Sequence, residues 1–313
     1  MAKAKNSSLN RAIVAKEDEF YTKITDIEKE RRHYKEQLRG KTIFCNCDDP
    51  EYSNFWRYFQ LNFYELGLKK LISTHYEAEK PSYRMDIVST DNGEQCGIPD
   101  YVKTPLKQNG DFRSPECIDI LKEADIVITN PPFSLFREFV NLLVKYDKKF
   151  LIIGTQNNIT YKDTFNLIKD NKIWLGYNAG NMNFTVPDYY EPRATRFWID
   201  ETGQKWRSFG NICWYSNLDI KKRHEDLILY KKYTPEEYPK FDNYDIINVK
   251  RVADIPEDYY GVMGVPITFP QYYNPEQFEI LGIANSARWI GHECYTLIDG
   301  KKIYNRLLIK RKR

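Results

Sequence analysis

Apolar residues in this chain fall into two patterns: regularly spaced positions inside charged stretches, and short continuous runs bounded by polar residues. From Asp18 to Arg39 the positions Phe20, Ile24, Ile27, Tyr34 and Leu38 recur at helical spacing and Gly40 follows, which predicts one charged helix ending there. Thr42-Ile43-Phe44-Cys45 reads as a short buried strand, Tyr52 to Leu66 as a helix stopped at Gly67, and Leu71 to Thr74 as a second strand. The stretch from Pro81 to Gln108 is polar and without period, and no element is predicted in it. Gly110 to Gly154 is the clearest segment. Ser114-Pro115-Glu116 is a helix start, with Ser as N-cap and Pro at the first helical position, and the helix reaches about Glu123. Asp125 to Thr129 is short and β-branched, Phe136 to Lys145 is a helix with one apolar face, and Phe150 to Ile153 is the next apolar run. Strand, helix and strand at this spacing predict a doubly wound α/β sheet.

Beyond Asp219 the texture changes to short strand-like runs rich in Tyr, Pro and Gly: Ile246 to Val252, Gly261 to Phe269, Phe278 to Ile283 and Ile303 to Ile309. The expected organisation is an α/β domain over 1–218, including an N-terminal arm, and a mostly β region over 219–313.

Composition narrows the class further. The 313 residues are 42% hydrophobic and 29% charged, which supports a buried core and excludes wholesale disorder. No run approaches the ~20 apolar residues of a bilayer span, and Met1 to Lys16 lacks the apolar stretch of a signal peptide. The expectation is a soluble, cytoplasmic protein that stays in the compartment where it is made. Six cysteines without a C-x-x-C pair and four dispersed histidines predict reduced thiols and no metal site. The net charge of +3 hides local asymmetry. Lys301, Lys302, Arg306, Lys310, Arg311, Lys312 and Arg313 crowd the C-terminus without an acidic neighbour, and Lys221-Lys222-Arg223 form a second cluster. Such clusters suit a phosphate backbone, and a solvated tail is the competing reading.

The residues that carry chemistry stand directly after the β-branched run: Asn130-Pro131-Pro132-Phe133. Ligands of open α/β sheets bind outside the carboxyl ends of strands. Two prolines fix the turn, so that the Asn130 side-chain oxygen and the Pro131 carbonyl can present two acceptors to one point. Acceptors gripping both hydrogens of an exocyclic amino group favour a pyramidal nitrogen whose lone pair is free to attack. Phe133 offers a flat face for stacking a base, worth about 1–3 kcal/mol. With a sulfonium methyl donor, catalysis then reduces largely to alignment and electrostatics. An ordinary Asn-Pro turn is the alternative, but a motif of this form arises by chance in about one such chain in a hundred.

The chain resembles the S-adenosylmethionine-dependent adenine-specific DNA methyltransferases, and within them the EcoRI modification methylase group. The likeness rests on Asp18-Glu19-Phe20-Tyr21-Thr22, Cys45-Asn46-Cys47-Asp48-Asp49-Pro50, Gly110-Asp111-Phe112-Arg113-Ser114 and Asn130-Pro131-Pro132-Phe133-Ser134-Leu135-Phe136. It continues through Lys148 to Ile153, Phe165 to Ile168 and Lys172 to Gly176, and is strongest before about Asn217. It implies a Rossmann-like methyltransferase sheet, double-stranded DNA as substrate, base flipping, and a C-terminal region that reads the DNA target. GAATTC is the first target it suggests.

The resemblance assigns roles by position. Asn130 and the Pro131 carbonyl hold the amino group, and Phe133 stacks on the extruded adenine, with Phe184 as candidate second ring. Asp111, at the end of the third strand, accepts from the cofactor adenine and Phe112 packs nearby. Cys45, Asn46, Cys47 and Asp48 border the methionine part of the cofactor, over which Tyr21 and Thr22 close. The usual glycine-rich turn after the first strand is replaced here by Cys-Asp-Asp. A ribose-binding carboxylate is Glu77 or Glu79. Asp48 and Asp49 also suggest acid/base or metal chemistry, without a third carboxylate at motif spacing. Lys221, Lys222, Arg223, Lys301, Lys302 and Arg306 are the candidate DNA-binding residues. Such enzymes act as monomers alongside a cognate restriction nuclease. Two other readings keep the fold: methylation of RNA adenine or of a protein glutamine, and a nucleic-acid-binding protein with an inactive methyltransferase fold.

Overall fold

The β-branched runs form the centre of a ten-stranded sheet. Strands β2 (Thr42–Cys45), β3 (Lys70–Thr74), β6 (Ile126–Thr129) and β7 (Lys149–Thr155) lie parallel in the order β7-β6-β2-β3. Every residue of β2 and β6 is buried, as the continuous apolar pattern requires of strands covered on both faces. The computed structural model describes residues 20–47, 49–78, 81–89, 97–284 and 296–312. The chain forms two units, one of residues 1–155 and 178–218, the other of 156–177 and 219–313.

In the first unit the predicted helix from Asp18 to Arg39 is broken. Tyr21–Thr22 form strand β1, paired with β8 (Trp174–Thr185) in the register Tyr21↔Thr185 and Thr22↔Phe184. Then come α1 (Ile24–Arg31), a 3-10 turn Arg32–Tyr34 and α2 (Lys35–Leu38), closed by Gly40 at φ +70°. Pairing with a distant strand overrides local helical periodicity at Tyr21 and Thr22, both residue types that suit strands. Asp18 and Glu19 lie outside the described residues. The next helix, α3, is shorter than expected and covers Asn54–Leu61.

The stretch without predicted elements holds two strands. β4 (Tyr83–Val88) runs antiparallel to β3, and β5 (Val102–Pro105) antiparallel to β4 at the sheet edge. Their polarity has a structural cause. Arg84 donates to Asp86 at 2.7 Å and Lys70 pairs with Asp86 at 3.2 Å, so one face of the ribbon is a charge ladder rather than an apolar surface. The doubly wound expectation therefore holds for the parallel centre but not for this antiparallel edge.

Helix α4 (Pro115–Glu123) begins as read: the Ser114 hydroxyl accepts from the Cys117 amide at 3.2 Å and Pro115 opens the helix. Ser114→Ala is expected to lower stability by about 1 kcal/mol, measured by chemical denaturation, with Ser114→Gly losing less. Helix α5 (Phe136–Lys145) buries Phe136, Phe139, Val140 and Leu143, and connects β6 to the parallel β7. Strand β10 (Lys205–Ser216) pairs antiparallel with β7 from Ile212↔Thr155 to Ser216↔Leu151. Its first half therefore runs on past the carboxyl end of β7, carrying β9 (Phe197–Ile199) with it.

The second unit contains α6 (Lys162–Lys169) and a five-stranded sheet. The sheet order is β11 (Lys240–Phe241), β12 (Tyr244–Asn248), β13 (Met263–Pro266), β17 (Arg306–Arg311) and β14 (Phe278–Ala284). Leu297–Ile298 and Lys301–Lys302 form a separate hairpin, β15 and β16. Among the described residues no helix is long and apolar enough to cross a membrane, and no group of three or more His, Cys, Asp or Glu side chains is placed to hold a metal.

Candidate active site

In the parallel centre, β2 has β3 on one side and β6 on the other, so chain order reverses between β2 and β6. In open α/β sheets such a reversal is where ligands bind, outside the carboxyl ends of the strands. Asn130 follows β6 directly and is buried. Its Nδ2 donates to the Phe20 carbonyl at 2.6 Å. The bond fixes the rotation of the amide, because only nitrogen can donate to that carbonyl, and so it fixes where Oδ1 faces.

Phe133 opens the 3-10 turn Phe133–Leu135, and its ring joins an aromatic cluster. Phe20 stacks on it at 5.3 Å and 30°, Phe209 meets it at 5.8 Å, and Phe184 meets it edge-on at 6.2 Å. Phe184 is fully buried and touches Phe20 and Phe209 as well. Two cluster members, Phe20 and Phe209, have no role in the sequence reading. Phe20 reads as a helix position, and Phe209 lies in the first half of a strand that is half-buried at every position there and shows no clear apolar run.

The loop after β2 makes its turn without a glycine. The Asp49 side chain accepts from the Glu51 amide at 3.0 Å, its carbonyl accepts from Tyr52 and Ser53, and Ser53 caps α3. An Asx turn at Asp49 thus leads the chain into α3. Asp49 also accepts from the Tyr83 hydroxyl at 2.9 Å. Asp48 lies outside the described residues. Cys45 and Asn46 are buried and Cys47 is half-buried. Asn54 Nδ2 donates to the Thr22 carbonyl at 2.7 Å, tying this loop to β1.

Buried polar atoms show what this end of the sheet can hold. Thr22 Oγ1 and Asn46 Nδ2 are buried with no hydrogen-bond partner among the described residues. Buried donors and acceptors are almost always satisfied, so these two fit a small polar molecule at the ends of β1 and β2. Asp111 stands in the loop between β5 and α4, not at the end of a strand as expected from sequence. Gly110 packs against the His75 carbonyl just past β3, which brings that loop to the carboxyl edge of the sheet all the same. Arg113 grips the Asp111 carboxylate, with Nε on Oδ1 at 2.9 Å and a terminal nitrogen on Oδ2 at 2.6 Å, and also reaches Glu138 of α5 at 3.0 Å. Burial pushes the Asp111 carboxyl up, but the Arg113 side chain and backbone amide outweigh it and hold it below the usual range. It stays an ionised acceptor. Phe112 is buried edge-on to Phe139 at 5.1 Å. Glu77 is half-buried beside the same loop, where its amide donates to the Asn109 carbonyl, and Glu79 lies outside the described residues.

A lowered carboxyl gives a definite pH sign. The stability Asp111 contributes is complete above the unfolded carboxyl value of about 3.9 and is lost as pH falls through the lower folded value. The melting-temperature difference between the native chain and Asp111→Asn is therefore expected to stay constant from pH 8 to 5 and to close only below about pH 4.

The candidate DNA-binding residues divide. Lys221, Lys301 and Lys302 are exposed. Lys222 is half-buried, with Nζ 3.3 Å from the Tyr177 carbonyl. Arg223 is buried, its guanidinium 3.5 Å from the Trp174 ring centroid and donating to Asn171. Arg306 donates to Asn248 Oδ1 at 3.0 Å. The two arginines are built into the packing of the second unit.

A chain reversal in the parallel sheet, a fixed asparagine amide after β6 and an aromatic cluster beside it are the arrangement expected of an α/β enzyme of the methyltransferase fold. Residues 8–312 match the family model described as adenine-specific methyltransferase EcoRI, and the chain belongs to that family. It is 48% identical to the Type II methyltransferase M.EcoRI of Escherichia coli, over 99% of this chain and 98% of that one. It is 39% identical to M.MgeORF184P of Mycoplasma genitalium, over 96% and 98%, and 37% identical to M.MpnI of Mycoplasma pneumoniae, over 97% and 98%, both Type II methyltransferases. No solved structure matches the chain. The chain is an adenine-specific methyltransferase, and its family implies a methyl donor.

Proposed function

We propose that this chain transfers the methyl group of S-adenosylmethionine to the exocyclic amino group of an adenine within a specific double-stranded DNA site, as the modification half of a restriction–modification pair. The observation that carries the reading is the Asn130 amide, held by the Phe20 carbonyl at 2.6 Å beside the Phe133 ring. Reaching an adenine amino group inside a duplex requires extruding the base, at a cost of a few kcal/mol. Phe133 receives the extruded base, and Asn130 Oδ1 with the Pro131 carbonyl accepts its two amino hydrogens. The lone pair is then directed at the donor, and no strong base is needed. S-adenosylmethionine, when bound, supplies an electrophilic methyl on a sulfonium that already carries its leaving group. Thr22, Asn46 and Cys47 hold its methionine part, and Asp111 with Phe112 receives its adenine. The exposed Lys221, Lys301 and Lys302 of the second unit serve the phosphate backbone.

The test is transfer of labelled methyl from S-adenosylmethionine to unmethylated plasmid DNA, with structured RNA in parallel. Label in DNA adenine, mapped by sequencing to one recurring site, is the expected result. Label in RNA alone overturns the DNA assignment.

A further inference from the structure

We propose that Arg207 holds a backbone phosphate of the target strand next to the extruded adenine. The inference rests on the reading of the chain as a DNA methyltransferase, and it places a DNA contact in the catalytic unit rather than in the second unit. Arg207 lies in the part of β10 that runs past the carboxyl end of β7. It alternates along the strand with Phe209, so both side chains project from the same face. Its guanidinium lies 5.3 Å from the Phe209 ring centroid, and Phe209 belongs to the cluster around Phe133. Phe197, the cross-strand partner of Arg207, stacks on Tyr190 at 6.3 Å and 15°, which continues the same face. The cation therefore sits at the rim of the pocket that receives the base.

The use of its donors is uneven. One terminal nitrogen donates to the Thr195 and Arg196 carbonyls, the second at 3.0 Å, which pins the side chain to the hairpin. Nε is buried with no partner among the described residues. No carboxylate among the described residues pairs with this guanidinium. A planar guanidinium held at one nitrogen, with its Nε edge desolvated and unused, is shaped for two parallel hydrogen bonds to an oxyanion. The hairpin holding it is itself strained at Arg196, a non-glycine residue at φ +55° whose carbonyl takes both the Arg207 side chain and the Ser208 amide. Strain of this kind persists where the surroundings over-determine a geometry. The oxyanion nearest a base seated against Phe133 and Phe209 is the phosphate of its own nucleotide. The carboxylate of the methyl donor is the competing source, and the experiment separates the two.

Full-length native chain, Arg207→Gln and Arg207→Lys are compared on unmethylated plasmid DNA. The readouts are DNA binding against salt, the KM for DNA, the affinity for S-adenosylmethionine without DNA, and the melting temperature. Arg207→Gln is expected to weaken DNA binding about tenfold, on target and non-target DNA alike. The slope of log affinity against log salt is expected to fall by about one, with cofactor affinity and melting unchanged. Arg207→Lys keeps the charge and loses the fork, so it retains the native salt slope with a smaller loss of affinity. It also covers the case in which the glutamine variant fails to fold. Unchanged DNA affinity and salt slope in both variants overturns the assignment, and so does a loss confined to cofactor affinity. Absence of methyl transfer to DNA by the native chain overturns the functional reading itself, and is seen before any variant is made.

Discussion

Asn130→Ala loses methyl transfer by at least about 10²–10³ in kcat, the scale for removing one pre-oriented acceptor or donor from a reacting centre. The substitution deletes Oδ1 and also the Nδ2 bond to the Phe20 carbonyl. DNA affinity is expected to change little, since a buried amide makes no contact with phosphate. Asn130→Asp is the sharper test, because it keeps the shape and one acceptor. Its second oxygen falls where Nδ2 now donates at 2.6 Å, so two acceptors face each other in a buried place. Only the protonated acid can donate to the Phe20 carbonyl and leave the other oxygen facing the base. The activity of Asn130→Asp relative to native is therefore expected to rise as pH falls from 8.5 to 5.5, measured as initial rates of label transfer. Activity of Asn130→Ala within threefold of native removes the asparagine from the mechanism.

What sequence reveals of this site depends on how far apart its parts lie in the chain. Ser114-Pro115, the β-branched run of β6, the Asn130-Pro131-Pro132-Phe133 turn and the face of α5 are local patterns, each written within one turn or strand, and the structure shows them close to where they were read. Phe20 is different. Its carbonyl meets an amide 110 residues away, and its ring stacks on Phe133 because β1 pairs with β8. Nothing in the spacing around Asp18 to Arg39 announces that pairing, and the helical period there points the other way. The β4–β5 ribbon escaped for a related reason. In β4 Tyr83, Met85 and Ile87 alternate with Arg84 and Asp86, and Met85 and Ile87 are buried, but this alternation is short and sits in a polar stretch. β5 is exposed at every position and carries no pattern of its own, so only the pairing with β3 makes the ribbon plain.

The loop after β2 departs from the glycine-rich pattern, and side chains close its later part. Cys-Asp-Asp in place of glycines reads as a broken cofactor loop. In the fold, Asp49 closes the turn through its side chain and Ser53 caps the following helix. Buried Asn46 and Thr22 still bring polar atoms to the ends of β2 and β1. An inactive fold is the reading that this departure favours, and the family to which the chain belongs stands against it. The basic clusters were legible as charge but not as exposure. Arg223 sits on Trp174 inside the second unit, whereas Arg207, in a stretch of nearly balanced charge, stands at the rim of the aromatic cluster.

Gly110→Ala is expected to cost more than about 4 kcal/mol, enough to unfold a marginally stable domain, because two separate constraints meet at this position. Its φ is +79°, where a side chain is strained. A Cβ there would also stand 1.8 Å from the His75 carbonyl oxygen and 3.3 Å from the Ser82 Cβ. The His75 carbonyl cannot move aside cheaply, since it accepts from the Ser82 hydroxyl at 2.6 Å. Gly40 is the control: its φ is +70°, with nothing within 4 Å of an added Cβ. Gly40→Ala is therefore expected to lose only the backbone share, about 1–2 kcal/mol, and to keep binding S-adenosylmethionine. Gly110→Ala either fails to accumulate as folded protein or, if it folds, binds the cofactor poorly, because the loop that carries Asp111 must lift off the end of β3. Thermal melting and calorimetric titration of the two variants separate strain from contact. Native cofactor affinity in a folded Gly110→Ala would show that Asp111 does not need this close approach, and would take the carboxylate out of the cofactor site.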